Sequence, residues 1–453
     1  MRERPNYVTQ LAEFACTATA DTLSDVARER ARWILADCVP VIAAGMQQPE
    51  MTRFVETQLA QAAPGNAWVI GSGRRAQALD AALLNGTAGT WLELDEGNLF
   101  AKGHPGIQVV PAAFAMAQEL GSSGTELLMA VALGYELSAR VSRASNVHLA
   151  VHPHGTYGVI GAAIAVGRLK RFTVARMCEL LNVAPSMGLA TSRQTLLDGA
   201  TVRNIYTGHS GFMGMIATRL VECGFTGEAD GIGSVYGKVL SDSFDPEQVV
   251  AHLGREWLIA RNYFKLHPIG RYAHSAIDAL EDLLARVPHG ELDTQHIERI
   301  EVRTYMLAAL LAEKHVRSSF GARFSIPFAL ATILHHRHTG LGCYTEQAVA
   351  DPLVQALAQK VELQEDKSHT QRYPAETPCD VRVVMRDGTV HTGHCTIMKG
   401  EPSNPHQPEQ LERKFFTLGT PVWGEAQTRK LFESLMRIEE IDDFRAFADG
   451  LSL

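Results

Sequence analysis

Residues 93–113 read ELDEGNLFAKGHPGIQVVPAA. Three carboxylates, Glu93, Asp95 and Glu96, fall within four residues, and Asn98, Lys102 and the triplet Gly103-His104-Pro105 follow. So many groups able to hold or move a proton in one connection describe one wall of an acid/base site; the plainer alternative is a solvated loop ahead of a helix. Proline suits the first helical turn, where its missing N–H costs nothing, so the spacing predicts a helix opening at Pro105. The free amides and partial positive charge of that opening face His104. Such a field favours a neutral imidazole able to accept a proton. Glu93, Asp95 or Glu96 could orient the ring or hold a charged partner. The competing role for His104 is a simple turn cap.

Three further segments carry side chains of the same kind. VHPHGTYGVIG sets His152 and His154 at a second glycine-rich helix start. Two histidines two apart in a loop can both face a cleft, but no third ligand at zinc spacing accompanies them. GATVRNIYTGHSG carries Arg203 and His209, and an arginine fork matches a carboxylate bidentately. NYFKLHPIGRYAHSAID packs Lys265, His267, Arg271, Tyr272 and His274 around a bend at Pro268 and Gly270. Cations and imidazoles at a predicted domain junction suit anion binding in a cleft, where small ligands usually sit. Each of the three also has a structural alternative: a surface loop, a surface ion pair, a solvated basic hinge. No Walker A loop and no G-x-S-x-G elbow is present, which disfavours phosphate-loop and serine-hydrolase chemistry.

The elements that must position these groups are mostly helical. In TLSDVARERARWILADCVPVIAAG, Val26, Ala27, Ala31, Ile34, Leu35, Cys38 and Ile42 recur at helical spacing, and Pro40 is expected to kink or interrupt the helix. PAAFAMAQEL stops at Gly121. SSGTELLMAVALGYELSARV opens with Ser123 and Glu126 at capping-box spacing and is apolar nearly all round, as in a helix at the centre of a bundle. YGVIGAAIAVGRL, TVARMCELLNVAPSMG and SGFMGMIATRLVECGF add Gly- and Ala-rich helices that can pack closely. After about residue 265 the pattern changes. IERIEVRTY alternates as a half-buried strand, CDVRVVMRDGTVHTGHCTI is two strands joined at Asp387-Gly388, and FSIPFALATILHHRHTG is a helix between them. MKGEPSNPHQPEQ is a connector, and the chain ends in helices expected to return to the first domain.

Composition bounds the class. The 453 residues exceed most single cores, so two or three domains are expected. No apolar run reaches membrane-span length, and the N-terminus has no apolar core of signal-peptide type; a cytoplasmic location is expected. A net charge of −8 without a basic block disfavours nucleic acid as a partner. The seven cysteines are scattered with no C-x-x-C pair, which suits reduced thiols and offers no cluster for a zinc ribbon or an iron–sulfur centre.

Taken in order, ELDEGNLFAKGHPGIQVVPAA, HPHGTYGVIGAA, GATVRNIYTGHSG, KLHPIGRYAHSAIDA, FSIPFALA and KGEPSNP resemble the 2-methylcitrate dehydratase (MmgE/PrpD) family over nearly the whole chain. The resemblance implies a mainly α fold: a large all-helical domain, residues 1–265 completed by 400–453, with an inserted smaller α+β lid domain, 266–399, and the active site between them. It implies a homodimer, no metal and no organic cofactor, and small di- or tricarboxylates as substrates. Glu93 or Asp95 matches the family's acidic motif, His104 its His-Pro histidine, and His152 its next histidine, with His154 in place of a threonine. Lys265 and His274 match a lysine and a histidine of the later segment. Two departures stand out: Arg203 where many relatives carry lysine, and Phe328 where decarboxylating members carry tyrosine.

The reaction expected on these grounds passes through a carbanion next to a carboxylate. Arg203, Lys265 and Arg271, helped by His154, His274 and Lys102, hold the substrate and the developing charge. His104 or His152 moves the α-proton, with Glu93, Asp95 and Lys265 in the catalytic set. A 2-methylcitrate dehydratase-like lyase comes first, because Phe328 counts against decarboxylation; epimerisation, isomerisation or cis-aconitate-type decarboxylation is the alternative. A non-catalytic carboxylate-binding protein of the same fold is the second alternative.

Overall fold

The computed structural model describes residues 4–450, and the protein is mainly α-helical. Its apolar side chains gather in two large clusters. The first spans Tyr7 to Phe264 and is joined by Leu411, Phe415, Leu431, Leu435 and Phe444 from the chain end. The second runs from Tyr263 and Ile269 to Met398, with Leu99 reaching in from the first half.

Close backbone approach builds the helical cluster. Ile205–Glu222 packs against Ala78–Gly89 and Gly158–Leu169, and Pro105–Leu120 lies among them. A Cβ on Gly208 would stand 2.3 Å from the carbonyl oxygen of Leu83, and one on Gly134 2.5 Å from that of Gly161. Any larger residue there would push the helices apart. Gly124–Ala144 is buried along nearly its whole length and opens with the Ser123–Glu126 capping box. Gly121 closes Pro105–Leu120 in the left-handed conformation. Pro40 does not interrupt its helix: Asp25–Met46 runs through it. That helix is buried from Trp33 to Ala43, so packing outweighs the single backbone bond that proline removes. Pro408–Trp423 returns to the same helix, where Lys414 Nζ meets Asp37 Oδ1 at 2.5 Å.

The second cluster is built on a four-stranded sheet in the order Val361–Glu365, Ile297–Thr304, Cys379–Met385, Val390–Cys395. The last three are antiparallel, with Val302 opposite Val381 and Val381 opposite Gly393. The first pair is parallel, Ile300 opposite Val361, a pairing not visible in local pattern because its connection contains several helices. Ile300, Val302 and Thr304 alternate inward as the strand period requires. Gly388 takes φ +88° in the hairpin turn. His274–Leu284 covers this sheet, and Ile326–His336 packs beside it on Pro352–Gln359. Among the described residues no helix is long and apolar enough to cross a membrane, and all seven cysteines are free.

Candidate active site

The segment that opens with Glu93 is drawn between the two clusters by backbone pairing. Gly97 and Tyr263 exchange hydrogen bonds (3.1 and 2.7 Å), as do Asn98 and Gly103 (2.8 and 3.2 Å). The Asn98 side chain closes this loop: its Oδ1 accepts from the amides of Phe100 and Ala101, and its Nδ2 donates to the Leu258 carbonyl. Glu93 and Lys102 sit at φ +53°, a conformation costly for non-glycine residues and common at functional sites.

The turn at Glu93 separates the three acids. Glu93 and Asp95 face one side. Arg203 Nη1 lies 2.6 Å from Glu93 Oε1, and Lys265 Nζ stands 3.4 Å from both Glu93 Oε2 and Asp95 Oδ1. Burial works to raise the Asp95 carboxyl, but His104, Lys265 and Arg203 together hold it well below the usual carboxylate range. Glu96 faces the other side. Its Oε1 accepts the Gly106 amide at 2.7 Å, inside the first turn of Pro105–Leu120, and its Oε2 accepts the Tyr135 hydroxyl at 3.0 Å. Gly106 must be glycine for this, since a Cβ there would sit 2.4 Å from Glu96 Oε1. Burial first, then the neighbouring Asp37, pushes the Glu96 carboxyl up to about 8.

His104 stands at the N-terminal boundary of Pro105–Leu120 but does not cap it. Its Nδ1 turns to Asp95 Oδ2 at 2.7 Å. The contact is bent away from the ring N–H direction, so it is a close polar contact rather than an aligned hydrogen bond. Nε2 points towards the Tyr263 hydroxyl, 3.5 Å away. His154 packs edge-on between His104 and His152, with ring centres at 4.8 and 4.7 Å. The His152 Nδ1 accepts the His154 amide at 3.1 Å, and Arg203 Nε stands 3.4 Å from its Nε2. Burial first, then Arg203, holds both His152 and His154 far below the ordinary histidine value, so both rings are neutral near pH 7. One residue joins the two histidine turns: Gln108 Nε2 donates to the His104 carbonyl, while its Oε1 accepts from the Gly155 amide and the Ser210 hydroxyl.

These groups line a narrow cavity of about 60 Å³. Of the ten residues singled out from sequence, Glu93, Lys102, His104, His152, His154, Arg203 and Arg271 line it. Asp95 and Lys265 stand directly behind, through Glu93 and His104. His274 does not line it: its Nε2 faces the Ile269 carbonyl at 3.3 Å and its ring packs on His267. His209 bonds the Met187 carbonyl, away from the cavity. Arg271 is pinned by Glu401 at 2.8 Å and lies over the Tyr263 ring, while its buried Nη1 has no partner. Lys102 donates to the Ser145 carbonyl and has no carboxylate partner among the described residues. Cations therefore outnumber acids on the wall, which suits a multiply charged anion. A larger groove of about 900 Å³, beside residues 284–294 and 333–340, carries no comparable convergence.

Sequence reading missed four contributors. Arg193, braced on the Leu149 and Val151 carbonyls, lines the cavity, as do Tyr263 and Phe324. Buried Arg323 donates to the carbonyls of both Leu92 and Pro268 at 3.0 Å, tying the acidic turn to the Arg271 segment. Tyr263 and Phe324 lie inside the quoted segments NYFKLHPIGRYAHSAID and FSIPFALA, where their apolar character gave no sign of a cavity role; Arg193 and Arg323 lie in no motif, and their carbonyl partners are visible only after folding. Phe328, read as a departure with a chemical consequence, is buried in the second cluster against Tyr344 and does not line the cavity.

Residues 9–247 match the model of the MmgE/PrpD N-terminal domain, and residues 267–438 that of the MmgE/PrpD C-terminal domain. The chain is 24% identical to a cis-aconitate decarboxylase of Aspergillus terreus over 96% of this chain and 93% of that protein. It is 23% identical to the cis-aconitate decarboxylase of Mus musculus, over 80% of this chain and 76% of that one.

Proposed function

We propose that this chain, which belongs to the MmgE/PrpD family and is an enzyme of the lyase kind, eliminates across a carbon next to a carboxylate of a small di- or tricarboxylate. The observation that carries this reading is an imidazole, His104, set against the Asp95 carboxylate on the wall of a cationic cavity. At 2.7 Å from a carboxylate oxygen, His104 Nδ1 must hold a proton, because two lone pairs at that distance repel. The Nε2 lone pair of His104 then faces the cavity as a base. At His152 the His154 amide donates to Nδ1 at 3.1 Å and Arg203 Nε–H points at Nε2 from 3.4 Å, so the neutral ring is held between two donors.

In this reading His104 Nε2 removes the α-proton, and the electron pair forms the carbon–carbon double bond as the C–O bond breaks. The proton taken up by His104 is passed to the departing hydroxyl, which leaves as water, while Arg203 and the neutral His152 ring line the other side of the cavity. Asp95 stabilises the imidazolium formed at His104, as an orienting carboxylate does. Arg271, Arg203, Arg193 and Lys102 hold the carboxylates and the charge spreading onto them. The 2-methylcitrate dehydratase-like reaction fits a His104 base best, because loss of carbon dioxide needs an acid but no base. Decarboxylation is the second reading. The names of the relatives favour it, and the position of Phe328 outside the cavity removes the objection drawn from sequence. The helical cluster with the chain end, and the α+β unit of residues 266–399, are taken as the two domains whose meeting encloses the substrate; homodimer formation belongs to the same reading, and sedimentation at the mass of one chain would remove it.

Proton NMR in deuterated water tests the proposal. Incubation with citrate, 2-methylcitrate, cis-aconitate and related acids should give α-proton exchange and an alkene from a hydroxy acid, both lost in H104A. Release of carbon dioxide without α-exchange would select the second reading, and thermal stabilisation by these acids with no reaction at all would make the protein a binder.

A further inference from the structure

We propose that His335, His336 and Asp351 form a binding site for a borderline divalent transition metal, represented by Zn²⁺, on the α+β unit and apart from the catalytic cavity. His335 and His336 are the last two residues of Ile326–His336, which is buried as far as Leu334. Arg337, at φ +66°, then turns the chain away, and its guanidinium is taken by Glu291. Asp351 begins Pro352–Gln359, where its Oδ1 accepts the Leu353 amide at 2.8 Å. That bond fixes the carboxylate and leaves Oδ2 facing the two imidazoles. Oδ2 lies 3.6 Å from His335 Nε2 and 4.0 Å from His336 Nε2, and the three ligand atoms all fall within 4.8 Å of one another.

These spacings are too long for hydrogen bonds, so the three atoms face a common centre without satisfying one another. Ligands about 2.0–2.1 Å from a tetrahedral zinc stand roughly 3.3 Å apart, a small contraction from what is seen. The anchored Oδ1 is the second-shell support such a ligand needs, and the carbonyl end of the helix favours a cation. The rings meet edge-on at 4.6 Å, so both can face the metal. The three ligand atoms leave the remaining position of a tetrahedral zinc to water. His338 and Cys343 line an open groove together with His336 and Asp351, with Cys343 Sγ 3.4 Å from His338 Nδ1. Two imidazoles and one carboxylate select zinc, cobalt or nickel over magnesium or calcium. Bound metal would clip the end of one helix to the start of the next.

The full-length protein, stripped with a chelator, is titrated with Zn²⁺ alone by calorimetry and with Co²⁺ by visible absorption. One site with a dissociation constant of about 10 µM or tighter is expected, together with a melting temperature several degrees higher at saturating Zn²⁺. H335A and H336A should each weaken binding at least about 100-fold. D351S, which keeps a helix-capping hydroxyl while removing the carboxylate, should do the same without loss of fold. H152A, in the other histidine cluster, should leave it in place. Binding that survives H335A and H336A, binding lost in H152A instead, or no binding up to about 1 mM overturns the proposal.

Discussion

Asp95 on one side of a turn and Glu96 on the other are neighbouring carboxyl groups, equally buried, and held in opposite states. On the cavity side Arg203, Lys265 and His104 surround the acids, and Asp95 stays ionised. On the far side Glu96 meets Asp37, a phenol and one amide, and burial is not offset. Asp37 itself is raised by burial even beside Lys414. Burial alone would neutralise every acid in the segment; the sign of the nearest fixed charge decides which ones stay charged. The charged side is available for catalysis, and the neutral side braces the helix that carries His104.

The largest test of this contrast is D95N. The amide leaves His104 without its carboxylate, and turnover should fall by about 10³–10⁴-fold. H104A should fall comparably, and the double variant little further, because the pair acts as a unit. A D95N enzyme within tenfold of wild type in single-turnover assays would break the assignment. Next is R193A, at a position no motif marks. KM should rise about tenfold with kcat nearly unchanged if the arginine contributes binding shared by ground and transition states; a fall in kcat at constant KM would move Arg193 into the chemistry.

The neutral side is tested by E96Q. Glu96 is raised from 4.5 to about 8 in the folded protein, so the native state keeps a proton that the unfolded chain releases between those values. Stability from this group is therefore fully present below about 4.5 and declines as pH rises through about 8. Glutamine keeps the neutral shape and does not titrate, so E96Q should melt higher than wild type at pH 9 and nearly equal to it at pH 5. Equal melting temperatures at both pH values would mean that Glu96 is not held protonated. The smallest expected effect on activity is that of F328Y. The ring is outside the cavity, so kcat/KM should change less than about twofold, with any cost of burying the hydroxyl appearing in stability. A large gain in carbon dioxide release from F328Y would place that hydroxyl in the reaction after all.

What the sequence determined by itself was local. Helical period, the Ser123–Glu126 box, the stop at Gly121, the Asp387-Gly388 hairpin and the proline after His104 are all written within a few residues, because each depends on neighbouring backbone geometry. The histidines and cations of the cavity could be named because their residue types limit their chemistry. Tertiary structure alone decided the rest. Pro40 stayed in its helix because burial on both sides of it outweighed a local rule. Glu93 and Asp95 were separated from Glu96 by a turn pinned through Tyr263, some 170 positions away in sequence. Arg193 and Arg323 became part of the site, and Phe328 and His274 fell outside it, according to which distant carbonyls and rings met them. Protonation states and tautomers follow from those long-range neighbours, since the electrostatic environment of a buried group is set by what folds against it and not by what precedes it in the chain.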